Sequence, residues 1–158
     1  MIISVLLDHS LSSSDKLSLI IPQIIAVLII LFLILPLHEL AHGWVAYKFG
    51  DRTAKNAGRL TFNPLVSIDP WGALMILLFG FGWARPVPVN PNNFKNPRVG
   101  MAVTAAAGPI SNFLAALIGA FIYVSVLVGS GFSVSQLSFG MELLWTFIAI
   151  NISLAVFN

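Results

Sequence analysis

His38 and His42 stand four residues apart in L-P-L-H-E-L-A-H-G-W, with Glu39 beside the first of them. On a helix, residues at that spacing lie one turn apart on the same face, so the two imidazoles can meet on one ion. Neutral imidazole is a common zinc ligand, and two of them supply half of a tetrahedral Zn2+ site. The carboxylate of Glu39 can reach the water that such an ion makes acidic, take its proton and hand one to a leaving amine. That is the chemistry of amide hydrolysis. The same residues admit a blander arrangement, in which two polar side chains pack in a bundle and Glu39 pairs with an arginine. The setting favours the first. The motif closes an unbroken apolar run, where ionisable groups are costly and mark function.

A catalytic zinc takes three protein ligands and keeps one position open, and the motif supplies two. The chain has no cysteine, so a further ligand must be His, Asp, Glu or a backbone or amide oxygen. His9 lies in a polar stretch near the N-terminus and is not expected to bind metal. Asp69, in T-F-N-P-L-V-S-I-D-P-W, is the most placeable internal carboxylate, although a position just before Pro70 suits a turn cap. Glu142 suits the first turn of a C-terminal helix as an interfacial charge. Asn112, which follows Gly108 and Pro109 in an apolar run, reads either as an interhelical hydrogen bond or as a donor toward a substrate carbonyl and its developing oxyanion.

The elements that must position these residues are set by composition. Of 158 residues, 58% are hydrophobic and 9% charged, against about 25% charged in a soluble domain. Eight basic and six acidic side chains cannot cover a water-facing surface of this size, so the chain reads as an all-α polytopic membrane protein. A net charge of +2 without a basic stripe excludes nucleic acid as a partner. Three runs are long enough to cross a bilayer: Leu17 to Leu37, continuing to about Tyr47, then Val99 to Val128 and Met141 to Phe157. Pro36 should kink the first of these just before His38. Small residues in the first half of the second run allow close helix contact. G-S-G-F-S-V-S-Q-L-S-F-G reads as the polar turn between the last two spans.

Between the first two spans, Trp71 to Trp83 is too short for a normal crossing and is expected as a buried strand or a re-entrant or interfacial element. V-P-V-N-P-N-N-F-K-N-P cannot be regular helix, and its prolines suit turns or edge strands. Residues 1–16 read as an extramembrane tail and 17–158 as the membrane-embedded core. Seven of the eight basic residues lie between Lys48 and Arg98, which puts that region in the cytoplasm and the N-terminus outside. The last run ends without a basic anchor, so the core is expected to be incomplete at its C-terminal end.

With these residues in view, the chain resembles the site-2 protease family of intramembrane zinc metalloproteases, peptidase family M50, in its compact form without a PDZ domain. The likeness runs from about Ile21 to the last residue. It rests on H-E-x-x-H-G-W, F-N-P-L-x-x-I-D-P-x-G, F-G-W-A-R-P-V-P-V-N-P and A-G-P-x-x-N in that order. The resemblance implies that His38 and His42 hold zinc, that Glu39 is catalytic and that Asn112 lines the active site. It implies a third ligand, an Asp of a later helix, beyond Asn158, and it does not give that role to Asp69. It further implies a prokaryotic cell membrane, the lipid bilayer as surroundings and, as substrate, a membrane-protein helix cut after local unwinding. Self-association with a second copy stays open. The alternative reading is an inactive membrane scaffold or a metal-binding transporter-like protein, although pseudo-repeated halves of the kind transporters show are not visible.

Overall fold

The computed structural model describes residues 1–130 and 138–157. Helix α1 spans Ile2–Leu7 and α2 spans Ser13–Ile29, with Ser12 accepting a hydrogen bond from the Asp15 amide at 3.2 Å as its N-cap. One wide π-helical turn, Ile30–Ile34, leads directly into α3, Leu35–Lys48. Short helices α4 (Thr53–Asn56) and α5 (Pro64–Ser67) follow, then α6 (Pro70–Phe79) and a single 3-10 turn at Pro91–Asn93. The long helix α7 covers Pro97–Gly129, and α8 covers Ser138–Phe157. The described residues contain no strand. The expected polar turn between α7 and α8 falls for the most part outside the described residues.

Among the described residues, three helical stretches are long and apolar enough to cross a membrane: Ser13–Lys48, Pro97–Gly129 and Phe139–Phe157. Large apolar side chains line their outer faces; Ile118, Phe121 and Val124 of α7 are 63%, 75% and 55% exposed. Such a surface is costly in water and ordinary against lipid tails. Inside, Val27, Ile30, Ile34, Leu35, Ile76, Ile150 and Leu154 form one buried cluster shared by α2, the wide turn, α3, α6 and α8.

Pro36 is accommodated without breaking the helix. Its ring has no N–H to give and presses on the turn before it. The backbone there winds wider, with the Leu35 amide bonding back to the Ile30 carbonyl, five residues earlier. Helix α7 meets its neighbours through small side chains. Gly100, Thr104, Gly108, Asn112, Ala116 and Gly119 are all buried, almost every one four residues after the last. That row brings the α7 backbone close to α3 and α8 where lipid offers no hydrophobic drive to hold helices together.

The segment Trp71 to Trp83 is a helix followed by a return, which removes the strand alternative. Asp69 caps α6 by accepting from the Trp71 and Gly72 amides at 3.1 and 2.9 Å. Gly80 ends it in the left-handed region at φ 83°, a conformation that glycine adopts without steric cost. The chain then runs back along α6, so that a Cβ on Gly72 would overlap the Trp83 backbone and one on Gly82 would overlap the Gly72 carbonyl. Entry and exit thus lie side by side. Within the N-terminal residues, α1 has Ile2 buried, and Met1 packs against Gly80.

Candidate functional site

His38 and His42 project from α3 onto the small-residue row of α7. Their Nε2 atoms face each other at 3.0 Å, with the rings edge to face. The Nδ1–H of His42 donates to the Thr104 carbonyl at 2.7 Å. In the neutral ring, that bond leaves the lone pair on Nε2, on the side toward His38. Gly108 makes the room. A Cβ there would overlap Nε2 of His42 and crowd Nε2 and Cε1 of His38.

This arrangement fits a shared metal ion. Two ring nitrogens at about 2.0–2.1 Å from one tetrahedral ion lie roughly 3.3 Å apart. The pair has that approach, a carbonyl orienting one ring, and a cleared wall opposite. Among the described residues no group of three or more His, Asp or Glu gathers at one point. Asp69 is occupied as the cap of α6, His9 is exposed in the turn before α2, and Glu142 accepts from Gln23 Nε2 at 2.8 Å, joining α8 to α2.

Asn112 is fully buried on α7, one turn after Gly108, with its amide against the His38 ring. It also lines an apolar cavity of about 810 Å³ between α3, α7 and α8, bounded by residues such as Leu37, Trp44, Ile118 and Phe147. Glu39 points elsewhere. It is 5% exposed, and its Oε2 accepts from the Val87 amide at 3.0 Å. Glu39 and His42 line a second cavity of about 340 Å³, together with Trp83, Pro86, Val87 and Met101. Asn112 thus adjoins the histidine pair from the apolar groove, while Glu39 shares the smaller, more polar cavity with His42.

The segment after α6 is held in place by side chains that sequence reading did not single out. Arg59 Nη2 donates to the Arg85 and Pro86 carbonyls at 2.6 and 3.2 Å, and the Arg85 amide donates to the Ser67 carbonyl at 2.8 Å. Past the end of α3, Asp51 is fully buried. It accepts from the Thr53 amide at 3.0 Å, the Thr53 hydroxyl at 2.5 Å, the Asn90 amide at 2.7 Å and Asn93 Nδ2 at 2.7 Å. Burial alone would raise its pKa, but these donors outweigh it and hold the carboxyl below its ordinary value of 3.8.

Two named proteins and one family model match this chain. A protein of Bacillus subtilis (strain 168), YwhC, provisionally named a zinc metalloprotease, is 44% identical over 138 residues, covering 87% of this chain and 62% of its own. Rip2 of Mycolicibacterium smegmatis (strain ATCC 700084 / mc(2)155), named in the same provisional way, is 30% identical over 87 residues, covering 52% of this chain and 33% of its own. The chain thus spans less than two thirds of either relative. No solved structure matches it at a significant level. The model of one family, peptidase family M50, matches residues 26–157. A match over that length, including the histidine pair, the capped α6 and the small-residue row, means that the chain belongs to peptidase family M50.

Proposed function

We propose that this chain forms the core of an intramembrane zinc endopeptidase that hydrolyses peptide bonds in transmembrane or membrane-proximal segments of membrane proteins. The observation that carries the reading is the convergence of the His38 and His42 Nε2 atoms, 3.0 Å apart against Gly108, inside an apolar helix and beside Glu39. His38 and His42 would hold the metal, joined by the Asp of a later helix that the resemblance implies. When bound, zinc supplies Lewis-acid polarisation of a carbonyl and acidifies water at neutral pH.

The chain's own residues do the remainder. Thr104 keeps the His42 ring turned so that Nε2 faces the site. Glu39 takes the proton of the attacking water on its free oxygen, Oε1, and returns a proton to the nitrogen of the leaving amine. The Val87 amide holds Oε2 and so limits rotation of the carboxylate. Asn112, between the apolar groove and His38, donates its amide to the substrate carbonyl as charge develops there. A substrate helix must unwind first, because its amides are shielded by their own hydrogen bonds; the apolar groove offers a membrane-depth approach for it.

Exchanging Glu39 for Gln tests this. In the full-length protein the substitution should leave zinc content unchanged and lower cleavage of a helical membrane substrate on the order of 10²-fold or more. Turnover near the natural rate would remove Glu39 from the mechanism.

The same reading places the N-terminus outside a prokaryotic cell membrane and the region from Lys48 to Arg98 in the cytoplasm. The side-by-side entry and exit of the α6 segment support it, since a returning segment leaves Arg85, Lys95 and Arg98 on the side they started from. The chain has no cysteine, so single cysteines replacing the exposed His9, Lys55 and Asn92 give clean reporters. A membrane-impermeant thiol reagent applied to intact cells should label position 9 only. Labelling at position 92 would mean that α6 crosses.

A further inference from the structure

Asp51 takes no part in the chemistry proposed above, yet it accepts more hydrogen bonds than any other side chain among the described residues. A carboxylate with no exposed surface is costly unless donors compensate its charge, and here three donors reach Oδ1 and one reaches Oδ2. Two come from Thr53 next door. The other two, the Asn90 amide and Asn93 Nδ2, come from the segment that follows α6.

That segment begins G-W-A-R-P-V-P-V-N-P, and its prolines at 86, 88 and 91 have no N–H to donate. Among its remaining amides, Arg85 is bonded to the Ser67 carbonyl, Val87 to Glu39 and Asn90 to Asp51. The turn of α3 that bears Glu39 and the corner just past its end that bears Asp51 thus each take one backbone amide of the same strip of chain. Only Pro88 and Val89 lie between Val87 and Asn90, at most about 10 Å of chain. Proline rings on both sides of Val87 fix φ and stiffen that interval, so a shift at Asn90 is carried to the Val87 amide.

We infer that Asp51 is a positioning residue: by anchoring Asn90 and Asn93 it sets the place of the Val87 N–H, and through that amide the orientation of the Glu39 carboxylate. The inference rests on the proposed role of Glu39 for its effect on catalysis. The mechanical tie from Asp51 to Val87 stands independently of that role.

Two measurements on the full-length protein separate these levels. Asp51→Asn keeps the size of the side chain and removes one of its two charged acceptor oxygens. Hydrogen exchange read at the Val87 amide should speed up about tenfold or more, since its acceptor no longer sits opposite it. With a helical membrane substrate, kcat per zinc-loaded protein should fall about tenfold while KM stays within about twofold, the pattern of a misplaced reacting group with substrate binding intact. Asn93→Ala, which deletes one donor and leaves the carboxylate, is the milder variant should Asp51→Asn not fold, with both effects in the same direction at about two- to threefold. Unchanged exchange at Val87 in both variants would overturn the tie. Faster exchange with a natural kcat, in an assay where Glu39→Gln is inert, would overturn the positioning role. If Glu39→Gln itself cleaves normally, the reading of Glu39 fails, and the exchange measurement still decides whether Asp51 holds the segment.

Discussion

Helix α3 ends in two different ways of burying a carboxylate. Near its start, Glu39 takes one hydrogen bond, from the Val87 amide, and faces a cavity of about 340 Å³. Just beyond its C-terminus, Asp51 takes four and is fully buried. Both reach the same strip of chain. A carboxylate with donors on both oxygens is fixed in charge and place, which suits an anchor. One left with a free oxygen beside a cavity can still accept a proton, which suits chemistry. The difference lies in the number of donors supplied, since the two groups are alike in kind.

The contrast can be sharpened by damaging one end and leaving the other whole. The largest effect is expected from Gly108→Ala. In an exposed helix interior that change is worth about 1 kcal/mol in favour of the helix, but here the added Cβ overlaps Nε2 of His42 and crowds that of His38. Zinc content after purification should fall at least about tenfold, while exchange at the Asn90 amide stays as in the natural protein. Retention of zinc at the natural level would mean that the pair is not the metal site. Asp51→Asn should give the opposite pattern, zinc kept and the segment loosened.

The smallest effect is expected from Asp69→Ala, which strikes neither end of α3. It removes the cap that accepts from the Trp71 and Gly72 amides, so a loss of about 1 kcal/mol in stability is expected. Thermal unfolding in detergent checks the loss, and metal analysis checks that zinc is retained. A loss of zinc on that substitution would promote Asp69 from cap to ligand.

What could be read in the sequence follows the range of the interactions. The spacing of His38 and His42 is a local fact, because any helix turns residues four apart to one side. The three spans were legible from length and composition, and Asp69 as a cap from its place before Pro70. The helix at Pro70–Phe79 could not be told from a strand, since a short apolar run carries no period that separates the two. Gly72 and Gly82 held the missing hint, but only the folded chain reveals that they meet. Val87 and Asp51 were not singled out at all. Their roles depend on a strip some forty residues away returning to α3, and nothing in the spacing of Glu39, Asp51, Val87 and Asn90 announces it.

The wide turn at Ile30–Ile34 has a consequence for the whole first span. A straight α-helix advances 100° per residue, so one extra residue in a turn offsets everything after it by that angle. The turn works as a phase shifter between two halves of one rod. The first half turns Gln23, Ala26 and Val27 inward, and the second half, on its own azimuth, turns His38 and Glu39 inward. Shortened by one residue to ordinary winding, the same rod would keep its length to within about 1.5 Å and its hydropathy, yet swing its histidines toward the lipid. Whether this helix turns His38 and Glu39 toward its neighbours or toward the lipid is decided by a single residue of angular offset.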